Sequence, residues 1–84
     1  MLRIYIDTND MGPDGWCYLL RYNNRPLDEV ATELRLCEGM PVVLYYSDPS
    51  EEFEFDGVLS FRENRWLARA DRGSYRLIRQ APLP

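Results

Sequence analysis

From Met40 onward, an apolar residue recurs at every second position through three successive turns, and the strand faces these turns join agree with one another. That agreement constrains the fold more than any other feature, because residues i and i+2 of a strand share a face and a one-residue slip would turn the strand inside out. With Val42, Leu44 and Tyr46 facing inward, a four-residue loop at 48–51 sets Phe53, Phe55 and Gly57 opposite them. Leu59 and Phe61 continue the same face. A two-residue turn at Glu63-Asn64 then pairs Phe61 with Trp66, Leu59 with Ala68 and Gly57 with Ala70. A second two-residue turn, at Arg72-Gly73, pairs Ala70 with Tyr75 and Ala68 with Leu77. Large side chains meet small ones along the row, the complementarity a curved sheet requires.

The first half of the chain adds a hairpin and one helix. Leu2, Ile4 and Ile6 alternate with Arg3, Tyr5 and Asp7, which predicts a strand over 2–7 with one buried face. Residues 8–15 carry the Asn, Asp, Gly and Pro density of a loop, and the aromatic stretch 16–22 returns as the hairpin's second strand. Leu27, Val30, Ala31 and Leu34 then fall on one helical face, with Asp28 and Glu29 early and Arg35 late, as the helix dipole favours. Gly39 suits a left-handed position at the helix end, with Pro41 shortly after. Gly57 reads as a bend or bulge in a long strand. The expected fold is therefore mainly β: a small SH3-like barrel or strongly curved antiparallel meander of about six strands with one short helix. The alternative is an open α+β sheet. Residues 1–84 form a single domain, too short for two cores.

Composition narrows the function classes. Hydrophobic residues make up 45% and aromatics 13% of the chain, enough apolar surface to offset the entropy of ordering it. No apolar run approaches the roughly 20 residues that span a bilayer, and the start lacks signal-peptide features, so a cytoplasmic protein with no membrane association is expected. Cys17 and Cys37 are the only cysteines and histidine is absent, which leaves too few ligands for an ordinary zinc site and no usual general base. The two thiols read as reduced. Asp7, Asn9 and Gly12 match three places of a calcium-binding loop, but Met11 and Tyr18 stand where oxygen ligands are required. Glu52, Glu54 and Asp56 share a strand face, but without a pocket they read as solvated charge. A non-catalytic protein with no cofactor and no metal is expected.

Charge is divided unevenly. Residues 1–61 carry four arginines against twelve carboxylates, while residues 62–84 carry six arginines against two, and lysine is absent. In the register above, Arg62 opposes Arg65 and Arg69 opposes Arg76 on the outer face, beside Val58, Leu67 and Ile78. Tyr45 lies on the same outer face next to Glu54. Two readings follow: neutralisation by Glu63, Asp71, Glu54 and Asp56, or a binding patch for an anionic partner. The net charge of -4 favours an acidic protein surface as partner over nucleic acid, whose backbone it would repel. The nucleic-acid alternative uses the strip from Arg62 to Arg79 and needs aromatics exposed beside it. Trp66 and Tyr75 are instead expected inward, Trp66 against Phe61 and the Phe53–Phe55 row.

The string "VLYYSDPSEEFEF" followed by "RWLARAD" resembles the start and middle of a eukaryotic SH3 domain. Tyr45 matches the first tyrosine of that family's motif. Ser47 replaces the second, Leu67 the usual second tryptophan, and no proline precedes Tyr75. The resemblance spans about 30 residues and implies barrel geometry, with no ligand specificity carried over. An open edge at strand 2–7 makes a homodimer a further expectation.

Overall fold

Two short strands that follow one another in sequence sit near opposite ends of the sheet, and this bends the sheet on itself. The computed structural model describes residues 1–82. It contains β1 (Arg3–Ile6), β2 (Trp16–Cys17), β3 (Leu20–Tyr22), β4 (Arg25–Pro26), α1 (Leu27–Leu34), β5 (Pro41–Ser47), β6 (Glu51–Arg62), β7 (Arg65–Ala70) and β8 (Arg76–Gln80), with a 3-10 turn at Arg72–Ser74. The sheet order is β2-β7-β6-β5-β1-β3-β4, with β8 also on β6. Only Tyr18 and Leu19 separate β2 from β3, so the two ends of this order are drawn together into a half-barrel. The fold is mainly β and barrel-like, and no helix among the described residues is long and apolar enough to cross a membrane.

The central registers match the sequence expectation. Val42, Leu44 and Tyr46 pair with Gly57, Phe55 and Phe53, and Gly57, Leu59 and Phe61 pair with Ala70, Ala68 and Trp66. Glu63 and Asn64 make the two-residue turn with φ of 53° and 63°, the left-handed pair that matches strand twist. Gly57 has another role than the expected bulge. It pairs regularly on both sides, and a Cβ there would lie 2.5 Å from Leu44 Cδ1. Its missing side chain is the space that Leu44 fills. Ile4, Ile6, Cys17, Val42, Leu44, Leu59 and Ala68 have no solvent exposure, and Leu27 and Val30 of α1 close over this core. Burial pushes the Cys17 thiol up to about 11, with Asp10 adding to the shift, so it stays protonated. Both cysteines are free.

Further expectations are corrected. Residues 16–22 do not form one strand paired with β1, because the Asp10 carboxylate accepts from the backbone N–H groups of both Tyr18 and Leu19 and holds a corner there. β2 consequently joins β7, and only β3 joins β1. A left-handed residue does end the helix, but it is Arg35 (φ 54°), and Gly39 (φ 80°) serves the following turn. The strand β1 lies between β3 and β5, so it is not an open edge. Eight strands replace about six, partly because Asn23 and Asn24 form a second left-handed two-residue turn between β3 and β4.

Another correction concerns the chain after β7. Arg72-Gly73 is not a hairpin turn. Asp71 caps the 3-10 turn by accepting from Gly73 N–H at 3.0 Å, and the chain continues in the same direction. β8 therefore pairs with the first part of β6, Leu77 opposite Phe53 and Arg76 opposite Glu54, with a bulge between Glu52 and Phe53. Tyr75 leans on Phe53 and Phe55 (centroids 5.3 and 5.5 Å) while half exposed. Trp66 is half-buried against Phe61 at 5.1 Å, and Tyr46 and Tyr75 take the place expected for it beside Phe53.

Two stability predictions follow from this packing. Gly57→Val drives a branched side chain into Leu44, an overpacking that costs about 1–3 kcal/mol. A thermal melt should therefore drop by roughly 4–8 °C for each kcal/mol; an unchanged melt would show that Leu44 does not fill that space. The second concerns Asp48, whose carboxylate accepts from the Ser50 and Tyr46 hydroxyls and from the Ser50 and Glu51 N–H groups. These bonds hold it at about 2, below the ordinary 3.8. Because the folded state binds its proton less readily than the unfolded state, the stabilisation is present above pH 3.8 and is lost as pH falls towards 2. In urea melts across that window the wild type should lose stability more steeply than Asp48→Asn; parallel pH profiles would refute the role.

Candidate binding groove on the arginine face

On the face of the β6–β7 hairpin turned away from the core, the register brings Arg62, Ser60 and Val58 beside Arg65, Leu67 and Arg69. β2 extends this face by one strand, with Trp16 opposite Arg69. That placement depends on Gly15 (φ 87°), where a Cβ would lie 2.6 Å from the Ala70 carbonyl and whose own carbonyl accepts from Ala70 N–H at 2.8 Å. The result is a groove of about 820 Å³ between the 13–16 segment and the start of the 3-10 turn, with Val58 in its floor at 47% exposure.

Three arginines line it, and each is anchored without an acidic partner. Arg62 Nε donates to Ser60 Oγ (3.2 Å), Arg69 Nε to the Asp14 carbonyl (3.3 Å) and Arg72 Nη1 to the Pro13 carbonyl (3.1 Å). The guanidinium carbons of Arg62 and Arg69 lie 4.7 and 5.9 Å from the Trp16 ring centre. A cation over an indole face is favourable by about 0.5–1 kcal/mol at an exposed site. For Arg62 and Arg69 the Nε is the anchored atom, which leaves the two terminal amino groups, the fork that grips a carboxylate, directed elsewhere.

Carboxylates also line the groove, but they are engaged with other donors. Glu38 accepts from Ser60 Oγ and Phe61 N–H, Asp14 from Trp16 N–H, and Asp71 from Gly73 N–H. Among the described residues none forms an ion pair with Arg62, Arg69 or Arg72. Three arginines and three carboxylates thus line the groove together with Trp16 and Val58.

The expected site residues are divided by this geometry. Val58, Arg62 and Arg69 meet in the groove. Arg65, directly opposite Arg62, turns to the Tyr18 ring at 5.1 Å. Leu67 is on the arginine face but buried, at 6% exposure. Arg76 is not opposite Arg69. It lies across the sheet between Glu54 (3.0 Å) and Asp56 (3.1 Å), whose hydrogen bonds hold its guanidinium charged to higher pH than usual, Asp56 contributing most. Tyr45 lies beneath Arg3 at 4.3 Å, and Arg3 in turn bonds Glu54. Ile78 is half exposed on β8, outside the groove. Neutralisation by neighbouring acids therefore holds for Arg76, while Arg62 and Arg69 are without it.

Trp16 was not among the expected site residues, and Arg72 was expected only within the Arg62–Arg79 strip of the nucleic-acid alternative. Trp16 reaches the groove only because β2 joins β7, and the one sequence signal for that is Gly15 before an aromatic residue. No family model matches the chain, and no curated protein or solved structure matches it.

Proposed function

We propose that this chain is a non-catalytic binding module that docks an acidic segment of a partner protein in the groove over Trp16. The observation that carries the proposal is the set of three arginines held in place without carboxylate partners, two of them against one indole. Charge-assisted hydrogen bonds to such forks are worth about 1.5–3 kcal/mol each. The three carboxylates among the groove's lining favour a polypeptide with spaced carboxylates over an unbroken line of phosphates. Val58 in the floor adds an apolar contact for a side chain between those carboxylates.

A second reading, single-stranded nucleic acid, is favoured by one observation: Trp16 and Tyr18 both touch arginines of this face. Base stacking on such aromatics is sequence-tolerant and strongly salt-dependent. The net charge of -4 and the three carboxylates in the groove oppose it.

A two-dimensional NMR titration separates the two. The probes are a synthetic peptide of alternating glutamate and isoleucine and an oligothymidylate, each at low and moderate salt. The peptide should shift the Trp16 indole, Val58 and Ser60 signals, and Arg69→Ala should weaken it about tenfold, one charge-assisted bond, with an unchanged melting temperature. Oligothymidylate binding that survives moderate salt, with the peptide inert, would overturn the protein-partner reading. No shift in the groove with either probe would overturn both.

A further inference from the structure

Arg62, Arg65 and Arg69 share the outward face of the β6–β7 hairpin, and of these only Arg65 lies outside the groove. It is exposed and forms no ion pair among the described residues. Its guanidinium carbon lies 5.1 Å from the centre of the Tyr18 ring, which is itself 41% exposed. Tyr18 follows Trp16 by two residues, and the Asp10 carboxylate holds its backbone N–H at the corner that ends β2. Arg65 and Tyr18 therefore repeat, further along the same face, what Arg62 and Arg69 make with Trp16: a cation against an aromatic ring with no carboxylate to neutralise it.

We propose that Arg65 on Tyr18 is a second anchor for the acidic segment, which runs out of the groove along β7 and sets a further carboxylate on the Arg65 fork; this rests on the groove's taking an acidic polypeptide. Between Arg69 and the Arg62–Arg65 pair this face carries only Ser60 and Leu67, neither of them charged. Glu38, at Ser60, has its carboxylate held by Ser60 Oγ and Phe61 N–H. Beyond Tyr18 a second cleft of about 330 Å³ mixes Asp7 and Asp28 with Arg21, so the run of unpaired arginines stops at Arg65. Arg65 and Arg69 are four residues apart on one strand, about 13 Å at 3.3 Å per residue. An extended segment covers that span in five residues and presents its alternate side chains to one side. The partner's carboxylates accordingly recur at alternate positions over five residues, a longer footprint than the groove alone requires.

Two capped peptides of alternating glutamate and isoleucine, three and five residues long and each beginning and ending in glutamate, separate the anchors. Both are titrated by NMR into the wild type and into Arg65→Gln, which should keep the wild-type melting temperature because Arg65 is exposed and without an ion pair. The longer peptide should bind the wild type about tenfold more tightly than the shorter, one further charge-assisted bond, and should move the Tyr18 ring signals together with those of Trp16. Arg65→Gln should erase that gain and leave the shorter peptide's affinity unchanged. If the longer peptide shifts Trp16 and Val58, binds both proteins equally and leaves Tyr18 still, the second anchor is overturned and the groove stands. If neither peptide shifts Trp16, the groove reading falls and the anchor falls with it.

Discussion

One edge of β6 carries two strands, and the rest of the structure depends on how the gap between them is bridged. β7 pairs with Gly57–Arg62 and β8 with Glu51–Glu54, both running antiparallel to β6. Between them lies Asp56, whose backbone N–H donates to Ser74 Oγ and whose carbonyl accepts from Asp71 N–H. An unpaired backbone group in a sheet is costly, and here both are satisfied by the turn itself. The chain can leave the edge for one 3-10 turn and return to it. That detour moves Arg76 from Arg69's neighbourhood to Glu54 and Asp56, and it is why one arginine is neutralised and the other is not.

The same physical theme, a side-chain oxygen replacing a ladder partner, shapes the other end of the molecule. Asp10 accepts from two consecutive N–H groups and breaks what would be a continuous strand at Tyr18-Leu19. The first fragment is then available to β7, with Gly15 allowing the close approach to Ala70. Trp16 is delivered onto the arginine face as a consequence, and the sheet curls because β2 and β3 are drawn to opposite ends of the strand order. The acidic loop that superficially suggests cation binding is thus a set of backbone acceptors: Asp7 holds Asn9 N–H, Asp10 holds the corner, and Asp14 holds Trp16 N–H.

What was legible in the sequence is what side-chain alternation can encode. The β5–β6–β7 registers could be read because a slip would expose Leu44, Phe55 and Leu59 together, and the helix because Leu27 and Val30 share a face. The turn after β7 was not legible, since Asp-Arg-Gly-Ser serves equally as a hairpin turn or as a capped 3-10 turn, and Leu77 finds an apolar partner either way: Ala68 in one register, Phe53 in the other. The groove was legible in part. Val58, Arg62 and Arg69 follow from strand parity alone, whereas Trp16 and Arg72 depend on long-range pairing that no local pattern announces.

The central claim, that β8 continues along β6 and does not fold back on β7, can be measured without any partner or ligand. Cross-strand nuclear Overhauser effects between backbone protons report directly on which residues face one another. The structure predicts contacts between Leu77 and Phe53 and between Arg76 and Glu54, with none between Leu77 and Ala68. Contacts from Leu77 to Ala68 and from Tyr75 to Ala70 would restore the hairpin, return Arg76 to Arg69, and contradict the account.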